Sequence, residues 1–158
     1  MVEPGIDREI DRRILGHLQE NARLSNTRLA ALVGLSPAPC LRRVRALEES
    51  GAIRKYVTLL DPATVGGQVT VFVSIRLNLQ VEDRLEIMEA AVKEWPEVLE
   101  CQLITGDADF LLRVVVADVQ AYERFLRESL TRVECVAGIR SSFALRQVKY
   151  STALPITA

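Results

Sequence analysis

The chain is poor in the residues that hold metals and cross-links: 158 residues contain three cysteines and one histidine. Cys40, Cys101 and Cys135 lie far apart, are odd in number and form no CxxC pair. A zinc site needs about four N, S or O ligands, usually in close pairs. Neither a metal nor a disulfide framework is therefore expected. Free, buried thiols in a reducing cytoplasm are the plain reading. No stretch approaches the ~20 apolar residues of a membrane span. The opening Met-Val-Glu-Pro-Gly-Ile-Asp lacks the basic-then-apolar pattern of a signal peptide, so the expected location is the cytoplasm and no membrane partner is expected. Also missing are a nucleophile with a base nearby in sequence, a glycine-rich phosphate loop and a paired-carboxylate motif. Catalysis and a catalytic cofactor have no support.

What is present is apolar content and an uneven charge. Hydrophobic residues make up 49% of the chain, ample for packed cores in one ordinary domain or two small ones. The net charge is −1. Residues 1–60 hold 10 Lys/Arg against 7 Asp/Glu, whereas residues 61–158 hold 10 against 14. A basic head on an acidic body suits a DNA-contacting domain joined to a domain with a different role.

Residues 26–49 are the most informative. Asp7 is placed to cap a first helix running to about Asn21, with Ile10, Ile14, Leu15 and Leu18 on one face. His17, beside that stripe, reads as a packing residue. Ser25 or Asn26 then caps a second helix with Leu29, Leu32 and Val33 inward. Gly34 makes a tight turn. Ser36, with Pro37 behind it, starts a third helix whose core stripe is Cys40, Val44 and Leu47. Gly51 ends it. Two short helices across a glycine turn are the helix-turn-helix signature, and the second helix of such a unit enters the DNA major groove.

At about 100° per residue, the third helix turns Ala38, Pro39, Arg42, Arg45, Ala46 and Glu49 outward, with Arg43 on the flank. The N-terminal part of a recognition helix meets base edges. Ala38, Pro39 and Arg42 are thus the base-contact candidates, and Arg43 and Arg45 the phosphate candidates. Arg54 and Lys55 lie just beyond. Three helical arginines more often form an ordinary solvated face; the helix-turn-helix context turns the reading toward double-stranded DNA. Ile53–Leu60, rich in β-formers, is expected to be a strand and a possible wing.

Gly66-Gly67 marks a hinge. Val69, Val71, Val73, Ile75 and Leu77 then alternate with Thr70, Phe72, Ser74 and Arg76, the pattern of a strand. Asp83–Trp95 is an amphipathic helix stopped by Pro96. Val98–Thr105 and Phe110–Ala117 are strands about the turn Gly106-Asp107-Ala108-Asp109. Val119, Tyr122, Leu126 and Leu130 mark a second helix, and Val136–Val148 a last strand. The order β-α-β-β-α-β is the ferredoxin-like arrangement. Trp95 and Tyr122 sit on core stripes. Helices on one side of a four-stranded sheet leave its other face open for association. The Gly-Asp turn is most simply a hairpin turn. Its N–H groups can also meet a carboxylate, and its Asp side chains an ammonium, the two charged groups of a free amino acid. Leu103 and Phe110 are the candidates for an apolar wall.

Leu-Ser-Pro-Ala-Pro-Cys-Leu-Arg-Arg-Val-Arg-Ala-Leu-Glu, residues 35–48, resembles the recognition-helix segment of the leucine-responsive regulatory protein and AsnC family, the feast/famine transcription regulators. The opening from Ile6 to Asn26 and Thr-Gly-Asp-Ala-Asp-Phe-Leu-Leu at 105–112 are similar too, and the likeness covers nearly the whole chain. It implies a homodimer that assembles to an octamer and a C-terminal domain that senses amino acids. It also implies an effector site at Thr105, Gly106, Asp107 and Asp109, with Ser141 and Ser142 tied to the response. The likeness to the leucine-responsive branch favours leucine or methionine. The tail from Ala153 to Ala158 is more apolar than the tails of that branch.

The expected protein is α+β: a winged helix-turn-helix domain (1–60), a linker (61–67) and a ferredoxin-like domain for effector sensing and assembly (68–158). Its expected function is sequence-specific transcriptional regulation, with assembly and DNA affinity set by a small amino acid. The alternatives are an operon-specific activator of amino-acid catabolism and an amino-acid-binding regulatory subunit.

Overall fold

Ile10, Ile14 and Leu18 recur at helical spacing, and α1 spans Glu9–Glu20 in the computed structural model, which describes residues 9–156. The expected cap Asp7 lies outside the described residues. Helix α2 covers Asn26–Val33 and α3 covers Pro37–Glu49. Ser25 is the α2 cap, its Oγ accepting from the Arg28 N–H at 3.2 Å. Asn26 acts differently. Its Nδ2 donates to the Pro37 carbonyl at 2.7 Å and ties the start of α2 to the start of α3. Gly34 ends α2 at φ 75, where a glycine pays no steric penalty. The Leu35 N–H bonds the Ala30 carbonyl at 2.9 Å and the Gly34 N–H bonds Ala31, a Schellman closure.

The core of this three-helix unit is Ile14, Leu29, Ala30, Val33, Cys40 and Leu47. Leu32, expected inward, is only half-buried, and Ala30 takes the inward place. His17 is half-buried, beside the core. Two polar ties join α1 to its neighbours. Arg13 donates to the Leu32 carbonyl at 2.7 Å, and Arg43 pairs with Asp11 at 2.7 Å.

No strand forms over Ile53–Leu60, contrary to expectation. Val57, Leu59 and Leu60 are exposed, and among the described residues no neighbouring strand takes up this backbone. Tyr56 is anchored instead, its Oη donating to Glu48 Oε1 at 2.9 Å. Partial burial, then the hydrogen bond and charge of Glu48, push its pKa up to about 12. The folded state thus holds the neutral phenol. That contribution to stability is complete below the ordinary tyrosine value of about 10 and is lost as pH climbs through about 12. An alkaline absorbance titration should show this late tyrosine, with its midpoint lowered in Glu48→Gln. An unchanged midpoint would mean that the contact is not made in solution.

The second unit is one antiparallel sheet with two helices. Strand β1 is Val69–Leu77, β2 Val98–Leu103, β3 Phe110–Val116 and β4 Val136–Phe143, in the order β2-β3-β1-β4. Helix α4 spans Glu82–Lys93 and α5 Val119–Glu128. Asp118 caps α5 through the Ala121 N–H at 2.6 Å. Val71, Val73, Ile75 and Leu77 of β1 share one core with Met88 of α4 and with Tyr122 and Phe125 of α5. Both helices therefore cover the same face. Trp95 meets Phe125 edge-on at 5.4 Å. The other face carries Phe72, Arg76 and the pair Arg113–Glu100, at 2.9 Å. It is mixed in chemistry rather than apolar.

The last strand stops at Phe143, not at Val148. The Ala144 N–H bonds the Thr70 carbonyl at 2.9 Å, and β1 begins at Val69, so there is no partner backbone beyond. Gly67, expected as a hinge, is also a packing position: a Cβ there would stand 2.9 Å from Val115 Cγ1.

The chain divides into two compact units, and the first is not continuous. It runs to Leu59 and takes back the segment from Lys149 on; the second is Leu60–Val148. The expected second domain ran to residue 158; by contact the described part of the tail groups with the helical unit. Gln19 of α1 holds it by two bonds: the Leu154 N–H donates to Oε1 at 2.6 Å, and Nε2 donates to the Leu154 carbonyl at 3.1 Å.

Candidate DNA-contacting helix and effector cavity

Helix α3 presents the outward face expected of it. Ser36, Ala38, Arg42, Arg45, Ala46 and Glu49 are exposed and Pro39 is half-exposed. Ser36 has the extended backbone of an N-cap, but its hydroxyl makes no cap bond. The ion pairs among the described residues involve Arg43, Arg113 and Arg127, which leaves Arg42 and Arg45 unneutralised. Arg43, expected on a phosphate, is engaged with Asp11 and half-buried, so it holds α3 to α1. Leu41, 38% exposed, escapes a sequence reading because leucine is counted as core. On a recognition helix it is the type of side chain that meets a thymine methyl group.

In the second unit the Gly-Asp turn splits into two roles. Asp109 is 4% exposed. Its Oδ2 accepts from the Leu77 N–H at 2.6 Å and its Oδ1 from the Gln80 amide. Its own N–H donates to the Ile75 carbonyl at 2.8 Å. The β1–β3 pairing ends at Ile75 and Phe110, and the Asp109 carboxylate continues it to Leu77. Asp109 was expected to face a ligand; it is instead a buried staple with both oxygens occupied. Thr105, Gly106 and Asp107 are exposed.

Asp107 alone of the predicted effector residues lines a cavity of about 380 Å³, with Ser74, Arg76, Ile104, Ala108, Gly138, Ile139 and Arg140. Ser141 and Ser142 lie on opposite faces of β4. Ser141 Oγ is 2.6 Å from Tyr122 Oη, on the helix side, and Ser142 pairs with Phe72 on the open side. The Tyr122 pKa is raised by burial, against a smaller lowering from Ser141. Phe110 is buried in the core and Leu103 sits exposed at the edge, so neither forms the expected apolar wall. Arg76 and Arg140 were not among the expected site residues. The signals for them were partial: the alternation of β1 puts Arg76 on the open face, and Arg140 lies two residues before Ser142 on that same face.

A second hollow of about 390 Å³ lies beside α5, with Glu97, Arg124 and Glu128 in its wall. It contains none of the predicted site residues. Burial raises the thiol pKa values of Cys40 and Cys101, the latter also through the charge of Glu89. All three cysteines are free.

Residues 70–154 match the Lrp/AsnC ligand binding domain, and residues 7–54 match a winged helix-turn-helix DNA-binding domain. The chain belongs to the Lrp/AsnC family of transcriptional regulators. It is 44% identical to the leucine-responsive regulatory protein of Salmonella typhimurium over 154 residues, covering 97% of this chain and 94% of that one. An AsnC family regulator from Agrobacterium tumefaciens is similar at 45% identity and a TM-score of 0.89, covering 94% of this chain and 96% of that one. A transcriptional regulator from Neisseria meningitidis, solved in complex with L-Met, is similar at 39% identity and a TM-score of 0.89, with the same coverage. This member of the family is thus a DNA-binding transcriptional regulator with an amino-acid-binding domain. Its relatives are regulators, not enzymes. Among the described residues no helix is long and apolar enough to cross a membrane.

Proposed function

We propose that the chain acts in the cytoplasm on spaced DNA sites, reading them through α3, and that a free amino acid changes its assembly and DNA affinity. The exposed, unneutralised Arg42 and Arg45 on the outward face of α3 carry the DNA reading. Ser36, Ala38 and Pro39 stand at the end of the helix that meets base edges. Arg43 supports the interface from behind.

The effector reading centres on Asp107. An exposed carboxylate beside a cavity that holds Arg76 and Arg140 offers partners to both charges of an amino acid. Thr105 and Gly106 shape the turn, and Ser142 faces the same open side. Kinship puts leucine and methionine first among neutral candidates, since those names attach to two of the relatives. Ile104 and Ala108 are the apolar side chains available to them, since Ile139 pairs with Ile75 and turns toward the helix-side core. A homodimer through the open sheet face, building to an octamer, is the assembly that such a ligand would shift.

A gel shift with the DNA upstream of the chain's own gene tests the reading. Retarded complexes that resist unrelated competitor DNA are expected. Retardation abolished equally by any competitor would remove the sequence-specific function.

A further inference from the structure

The end of α3 that faces base edges has almost nothing polar to offer them. From residue 37 to 41 the sequence is Pro-Ala-Pro-Cys-Leu, and its one thiol, on Cys40, is buried. Pro37 and Pro39 bring no backbone N–H. The Cys40 N–H is bonded to the Ser36 carbonyl at 3.2 Å. Of the first four positions of the helix, that leaves Ala38 as the one N–H donor.

Leu41 stands at the surface of this stretch. It is exposed, and it belongs neither to the three-helix core nor to the apolar side chains packed against that core. Residues three and four apart are neighbours on a helix. Leu41 therefore shares a face with Pro37 and Ala38, one turn before it, and with Arg45, one turn after; all three are exposed. Ala38 and Arg45 are neighbours of Arg42 by the same spacing. The result is an apolar strip bordered by two guanidinium groups that no ion pair among the described residues neutralises. Those charges fit a polyanion. They oppose an apolar protein surface, which would bury both without partners.

In the major groove guanine, adenine and cytosine present hydrogen-bonding groups, whereas thymine adds a 5-methyl group. An apolar side chain pressed on the first three strips water from donors or acceptors and returns no bond. Against the methyl group it takes apolar surface on both sides out of water. We propose that Leu41 reads the 5-methyl group of a thymine in the site that Arg42 contacts. This deepens the DNA reading above and rests on it.

A duplex enriched from random sequence by the full-length wild-type chain supplies the probe. Each of its thymines is replaced in turn by deoxyuridine, which deletes the methyl group and keeps the base pair. Fluorescence anisotropy then compares wild type, Leu41→Ala and Leu41→Met. At one thymine or more, loss of the methyl group should weaken wild-type binding by about fourfold, the scale of one buried carbon group. The same replacement should leave binding by Leu41→Ala unchanged, while Leu41→Met, still long and apolar, keeps most of the loss. A wild type indifferent to every methyl group would overturn the thymine reading and leave the arginine contacts intact. Equal methyl losses in wild type and Leu41→Ala would take the contact away from Leu41. Enrichment of no sequence at all would overturn this proposal together with the sequence-specific function.

Discussion

Replacing Arg42 by alanine is expected to weaken binding to a true operator by about ten- to a hundredfold while the fold stays intact. Arg42 is exposed in the N-terminal half of α3 and takes part in no ion pair among the described residues. A guanidinium so placed can bond O6 and N7 of guanine together, worth about 1–3 kcal/mol of discrimination. Binding to unrelated DNA should fall far less, because a single phosphate-scale charge changes only the salt-dependent part. Arg43→Ala is the contrasting variant. Its neighbour Asp11 loses its partner, so the expected effect is on thermal stability. Fluorescence anisotropy with specific and scrambled duplexes, beside thermal melts, separates the two variants. Equal losses for Arg42→Ala on the two duplexes would mean that α3 does not meet base edges with this face.

Asp109→Ala is expected to destabilise the second unit by about 1–3 kcal/mol, the cost of leaving buried polar groups without partners. The Leu77 N–H loses its acceptor, and so does the Gln80 amide. Asp109→Asn restores one acceptor oxygen but sets an NH₂ group against the other donor, so it should fall between alanine and wild type. Urea unfolding followed by circular dichroism gives the ordering. Wild-type stability in Asp109→Ala, with ligand binding abolished, would restore Asp109 to the effector site and refute the staple.

The contrast between the two aspartates shows where sequence reasoning stops. Asp107 and Asp109 are two residues apart in one turn, and their chemistry is identical. Only the tertiary partners, the end of β1 and Gln80, separate the buried one from the exposed one. The helices and strands are legible because their apolar residues recur at 3.6 or 2. The topology follows from element order, since a β-α-β-β-α-β chain has few ways to pair. The strand expected at Ile53–Leu60 does not form because β-forming side chains carry no information about whether a partner strand exists. Leu32 and Ala30 show the same limit on a helix. Both fit the inward arc, and packing chose the smaller. Arg76 and Arg140 can be placed on a face but not matched with each other, because cross-strand register is not written in either strand alone. Likewise Arg43 carries the right charge for DNA, and nothing nearby in sequence announces Asp11 as its partner.

The tail held by Gln19 has a consequence for how this protein can be taken apart. The helical unit is assembled from two stretches of chain, so the polypeptide passes between units at Leu59–Leu60 and again at Val148–Lys149. A hybrid regulator spliced at the first junction alone would keep Gln19 and inherit a foreign tail with no obligation to meet it. A graft that preserves the contact needs two cuts, one at each crossing. In modular terms the two domains share a border strip, because residues 149–154 belong to the ligand-binding domain by family match and to the helical unit by contact.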